Sequence, residues 1–236
     1  MDFKEFFLSF KTHTAPISHT EKIRSGLVAG IAILLLGLAL KYLPQPNYPF
    51  VMLGSIAASA VLIFAAPHSP MAQPWPLIGG HLISTLAGWL CSQHLSDPLV
   101  AAGCAVGLAI LLMHYLNCLH PPGAATALTL VLHSAQFHPM GWPWVVCIVL
   151  ANAGISLVLA LLVNNLIPGR YYPVRHTSQP TPPKYTQPKH VQLERADIEW
   201  ALTQMDGVID VSEEDLVEIY KLAVEHVRNP DGKVNA

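Results

Sequence analysis

SGLVAGIAILLLGLALKYL, residues 25–43, is an apolar run of 19 residues whose one charge, Lys41, sits close to its end. As a helix rising about 1.5 Å per residue it is about 28 Å long, enough to cross a hydrocarbon core of roughly 30 Å. It is too long for the apolar region of a signal peptide and no cleavage site follows it, so it reads as a first membrane-spanning helix. The same character continues outward: from 25 to 169 the formally charged residues are Lys41 and Asp97 alone. Over the whole chain of 236 residues, 52% are hydrophobic and 12% charged, against about 25% charged in a soluble domain. A segment with so few charges is solvated by lipid. The net charge of −2 and the absence of a basic stripe exclude a nucleic-acid binder. The four cysteines form no CxxC pair, which argues against a disulfide scaffold and leaves apolar packing as their role.

Punctuation by proline divides the apolar region into six expected spans, 25–43, 50–66, 75–93, 98–117, 120–135 and 142–167. The fifth is short, and a four-span reading that buries the second and fifth segments is the rival. An even number of spans puts both termini on one side. Lys4, Lys11, Lys22 and Arg24 precede the first span, and Arg170 and Arg175 follow the last. Positive-inside bias makes that side the cytoplasm, and a bacterial-type inner membrane is the expected location. The two halves share a rhythm. Tyr42-Leu43 and Tyr115-Leu116 each close a span, a proline-rich entry follows, then a small-residue helix, GSIAASA at 54–60 or GAATA at 123–127. The expected fold class is therefore an all-α integral membrane protein, built as two inverted three-helix repeats.

Flanking this region, residues 1–24 read as a cytoplasmic arm, 170–190 as a proline-rich linker, and 191–236 as a small cytoplasmic helical hairpin. The acidic stretch DGVIDVSEEDL lacks the spacing of a calcium loop.

HPPG at 120–123 carries the most chemistry. Pro121 and Pro122 suit the first turn of a helix, where amides go unpaired in any case. The amides of Gly123, Ala124 and Ala125 then lie at the positive end of the helix with little side chain to shield them, a candidate anion site. His120 beside them is placed to bond an anion or carry a proton. The other reading of HPPG is close helix packing after a tight turn. PHSPMAQP at 67–74 offers Ser69 and Gln73 as neutral hydrogen-bonding groups at a helix break. Asn47, Gly54 and Ser55 are the corresponding candidates at the entry of the first small-residue helix. His81 and Asn117 complete the polar set within or beside the spans, where such residues face a partner helix or a cavity. His114, Cys118 and His120 form an alternative soft-metal or redox cluster that lacks a fourth ligand. Gly26/Gly30 and Gly103/Gly107 are GxxxG pairs, suited to packing within one chain or against a second copy.

GSIAASAVLIFAAPHSPMAQPWPLIGGH at 54–81 and LNCLHPPGAATALTLV at 116–131 resemble the HPP family of integral membrane proteins, named for the triplet at His120-Pro121-Pro122. The resemblance covers roughly residues 21–170. It implies a multispan membrane domain, and some members are similar to nitrite transporters. The family motifs fall on Ser69, Pro70, Ala72, Gln73, Pro74, Gly79, Gly80, His81, His120, Pro121, Pro122 and Gly123. The expectation is a permease for a small monovalent anion, nitrite by resemblance, and not an enzyme. It needs no cofactor or metal, and its partners are the anion, lipid and a second copy of the chain. A sensory protein using the tail as output, and an intramembrane metal or redox protein, are the alternatives.

Overall fold

The structure, a computed structural model, describes residues 18–45 and 47–174 together with Tyr220. One compact unit runs His19–His176; of the second, Met1–Ser18 with Thr177–Ala236, only Ser18 and the helical Tyr220 are described. Most of the expected arm, linker and hairpin lies outside the described residues.

The helices are α1 (His19–Tyr42), α2 (Ser55–Ala65), α3 (Pro74–His94), α4 (Pro98–Tyr115), α5 (Pro121–Leu132), the single turn α6 (Ser134–Phe137) and α7 (Trp142–Leu166). Short 3-10 turns at Pro70–Ala72 and His138–Met140 precede α3 and α7. Helices α3, α4, α5 and α7 each carry proline in the first turn, where its missing N–H breaks no helical bond. Asp97, the one acidic residue of the apolar region, caps α4: its carboxylate accepts from the amides of Leu99 and Val100, both at 2.9 Å.

This is an all-α, multi-pass membrane protein. Among the described residues three helices, α1, α4 and α7, are long and apolar enough to cross a membrane. At 21 residues α3 has the length but a more polar composition. Helices α2 and α5, of 11 and 12 residues, are about 17 and 18 Å long and fall short of a full crossing. The expected spans 50–66 and 120–135 are thus trimmed. Residues 50–53 enter α2 without helical structure, and α5 breaks at His133. At the other end α1 begins at His19, six residues before the apolar run, because Glu21 suits the amide-rich first turn.

Side-chain contacts set the helix directions. Glu21 at the start of α1 pairs with Arg170 just beyond α7, so these two run antiparallel. Asn152 of α7 binds the entry of α2 and Asn164 its end, so α2 and α7 run the same way. The indole of Trp75, at the start of α3, donates to Leu116 O, past the end of α4, at 3.0 Å. Trp89 late in α3 meets Trp142 at the start of α7, with ring centroids 5.7 Å apart. Gly80 and Gly88 of α3 meet Gly123 and Ala127 of α5 in the same order, so these two are parallel. The sense therefore alternates through α1, α2, α3, α4, α5 and α7.

Short helices packed in an apolar bundle must find partners for their backbone ends. Asn152 accepts from Leu53 N at 3.0 Å and donates to Val51 O at 2.9 Å. Asn164 donates to Ile63 O at 3.2 Å and accepts from Arg170 at 3.1 Å. Two asparagines on α7 thus hold both ends of α2. On the outer faces Leu27, Leu34, Leu99, Val158, Leu162 and Leu166 are exposed, as lipid-facing residues are.

Candidate functional site

Three elements converge on a buried polar centre: α2 brings Ser55 and Ser59, α3 brings His81, and α5 brings Thr126 and, at its N-cap, His120. Ser59, His81, His120 and Thr126 are all 0% exposed. Small residues make the convergence achievable. A Cβ on Gly123 would lie 2.8 Å from Gly80 O, and one on Gly80 would lie 2.5 Å from His120 Cβ. Backbone meets backbone here because neither residue has a side chain.

The polar groups form one chain. Ser55 Oγ lies 2.8 Å from Thr126 Oγ1, which lies 2.8 Å from His81 Nδ1. His81 Nε2 is 3.0 Å from Ser59 Oγ, and Ser59 Oγ is 2.9 Å from His120 Nε2. His120 Nδ1 ends the chain at Met71 O, 2.8 Å away. A carbonyl only accepts, so Nδ1 of His120 carries hydrogen. With the ring neutral, its Nε2 accepts the Ser59 hydrogen. Ser59 Oγ then accepts from His81 Nε2–H, and His81 Nδ1 accepts from Thr126, whose oxygen accepts from Ser55. One carbonyl thereby orients every hydrogen in the chain.

The segment that supplies Met71 is held from several sides. Gln73 donates to Pro67 O at 3.0 Å and to Ser69 O at 2.9 Å, and accepts from Val174 N at 2.9 Å. Ser69 Oγ accepts from Met71 N at 3.3 Å. Tyr172 donates to Ala72 O at 2.7 Å, and burial pushes its phenol pKa upward. Successive carbonyls, Met71 and Ala72, are each held by a ring from a distant part of the chain.

The sequence-derived candidates are distributed as follows. His81, His120 and Ser55 join the polar chain. Pro121 is exposed, Pro122 is buried in the first turn of α5, and Ala124 is partly buried beside them. The Gly123 amide donates to His120 O at 2.8 Å, and its Cα faces α3. Its observed contacts are those of helix packing. Ser69 and Gln73 stabilise their own turn. Asn47 is exposed in the loop before α2, and Gly54 is the exposed N-cap of that helix. Asn117 adopts φ 51° and closes α4: its amide donates to His114 O at 3.2 Å and that of Cys118 to Met113 O at 2.9 Å. Those two bonds form a Schellman motif, and asparagine tolerates its left-handed position. His114 is exposed while Cys118 and His120 are buried; among the described residues no three His, Cys, Asp or Glu gather as a metal ion requires. Sequence reasoning missed Ser59 and Thr126. Both lie inside the small-residue stretches 54–60 and 123–127, where their size masked their hydroxyls.

Comparison with known proteins agrees with this architecture. Two proteins of Dictyostelium discoideum, each named only as a transmembrane protein, are similar to this chain. One is 41% identical over 154 residues, covering 64% of this chain and 49% of its own. The other is 37% identical over 177 residues, covering 73% and 62%. The chain thus spans about half to three fifths of the length of these curated relatives. No solved structure matches it. The transmembrane region of the HPP family matches residues 14–173, which contain every member of the polar chain, and the protein therefore belongs to the HPP family of membrane proteins.

Proposed function

We propose that this protein is a membrane permease for a small monovalent anion, and that its passage leads through the chain from Ser55 to His120. One observation supports the reading: the buried polar chain runs between α1–α3 and α4–α7, which we read as two halves of opposite sense. Ser55, Ser59, Met71 and His81 belong to α1–α3, whereas His120 and Thr126 belong to α4–α7. Four of its five links cross from one half to the other. Each half comprises a long helix, a proline-rich entry, a short helix, a 3-10 turn and another long helix, and the second adds the single turn α6. Halves of opposite sense with short helices meeting between them are the architecture of carriers that bind solute at the repeat interface. Buried polar groups are costly in a lipid-solvated bundle, and function is the usual reason for keeping them. In the structure the polar groups are bonded to each other.

Nitrite is the anion suggested by the family resemblance. The bundle's neutral hydroxyl and imidazole groups suit a small solute of single charge and offer no arginine clamp for a polyanion. The basic residues before the apolar run at 25–43 and after α7 support cytoplasmic termini. Nitrite uptake into proteoliposomes tests the proposal. Wild-type protein raises uptake above that of protein-free vesicles, and Ser59→Ala and Thr126→Val lower it. Wild-type uptake in both variants rejects the polar chain as the passage.

A further inference from the structure

We infer, building on the permease reading, that His120 is a proton carrier and that anion and proton cross together with no net charge moved. The first observation is electrostatic. Between residues 25 and 169 the formal charges are Lys41 and Asp97 alone; both are exposed, and Asp97 is occupied capping α4. A desolvated anion in the centre of this bundle meets no fixed positive charge to offset it. The groups in the polar chain able to gain one are the rings of His81 and His120.

The second observation is that the hydrogen bonds accommodate both protonation states of His120. In the neutral ring, Nε2 accepts from Ser59. In the protonated ring, both nitrogens donate: Nδ1 to Met71 O, Nε2 to Ser59 Oγ. Ser59 must then send its hydrogen elsewhere, and Ser55 O lies 3.4 Å from its oxygen. Ser59 Oγ would accept from both rings and donate to that carbonyl, using its whole bonding capacity. Rotation of one hydroxyl hydrogen is enough to change states, with no heavy atom displaced. Burial opposes a charge on this ring, so the anion itself is the partner that offsets it. Helices α2 and α5 present hydroxyls, Ser55, Ser59 and Thr126. The turn after α4 presents Cys118, buried against Gly79. The segment before α3 carries His68, half-buried, and Tyr172 binds Ala72 beside Met71. Among the described residues no carboxylate or cation bonds to either ring.

The transfer balances simply. One proton from the acidic side adds to the neutral imidazole, whose charge becomes +1 and offsets the anion at −1. On the opposite side the imidazolium releases the proton and the anion leaves, so one acid equivalent has moved from the first side to the second.

The full chain in proteoliposomes, with sodium nitrite as probe and an entrapped pH dye, tests this. Protein-dependent uptake is compared under an imposed pH gradient and under a potassium–valinomycin potential. The expected result is uptake driven by external acid, accompanied by internal acidification and insensitive to the potential. In His120→Gln, which keeps neutral hydrogen bonding, acid-driven uptake falls by about a hundredfold, at the low end for loss of a positioned proton-transfer group. Wild-type uptake that follows the potential and ignores the pH gradient overturns the inference while leaving the permease reading standing. Undiminished acid-driven uptake in His120→Gln likewise overturns it. Wild-type uptake no greater than that of empty vesicles overturns both readings.

Discussion

His120 occupies the space that a side chain on Gly80 would need: a Cβ there would stand 2.5 Å from His120 Cβ. The atom in the way lies next to the backbone and has no rotamer to escape into. Gly80→Ala therefore displaces either α3 or the start of α5, destabilising the protein by about 1–3 kcal/mol, as overpacking does. Gly26→Ala in α1 meets nothing within 4 Å and serves as the control. Thermal unfolding in detergent compares them; equal melting temperatures for both variants reject the packing argument.

Asn152 supplies an acceptor and a donor to the non-helical entry of α2. Asn152→Leu leaves the Leu53 amide and the Val51 carbonyl without their partner in a buried setting. The expected loss is about 1–3 kcal/mol for each stranded group. Amide exchange at Leu53 should quicken more than exchange in α4. Unchanged protection at Leu53 contradicts this account.

Glu21 bonds Arg170 and Arg24, and Ser25 donates to it at 3.1 Å. Arg170 is 5% exposed. Glu21→Gln leaves that guanidinium buried without its counter-charge, at a cost of about 3–5 kcal/mol. Pairing this change with Arg170→Met should recover much of the loss. A double variant no more stable than Glu21→Gln alone shows that the pair is not coupled.

Tyr172 beyond α7 gives a pH dependence. Burial raises its pKa, so folding favours the neutral phenol that donates to Ala72 O. Its contribution is fully present below the ordinary tyrosine pKa of about 10 and is lost as pH climbs above that towards the raised value. Melting temperature should fall with pH in this alkaline range, and less steeply in Tyr172→Phe. Parallel slopes would remove Tyr172 as the cause.

The helices were legible in the sequence where proline marks their first turns and apolar runs fill them, so the starts of α3, α4, α5 and α7 fall close to expectation. The shortness of α2 was not legible. Residues 50–53 are as apolar as the helix after them, and their non-helical path depends on Asn152, 99 residues from Leu53. In the site, His81 and His120 stood out as ionisable residues in a charge-poor region. Ser59 and Thr126 did not, since a small hydroxyl within a small-residue helix looks like a packing residue until its partner is known. Gly123 shows the converse. Its bare amide suggested anion binding, and only the approach of Gly80 reveals what its missing side chain permits.

The contact between Glu21 and Arg170 joins positions 149 residues apart. The start of α1 is thus tied to a residue just beyond α7. A gene reordered to begin at Asp97, with a tether from Val174 back to His19, would make α4–α7 first and α1–α3 second while giving every helix its present neighbours. Circular permutation at that point separates the order of synthesis from the final packing, and asks which half must be made first for the other to assemble on it.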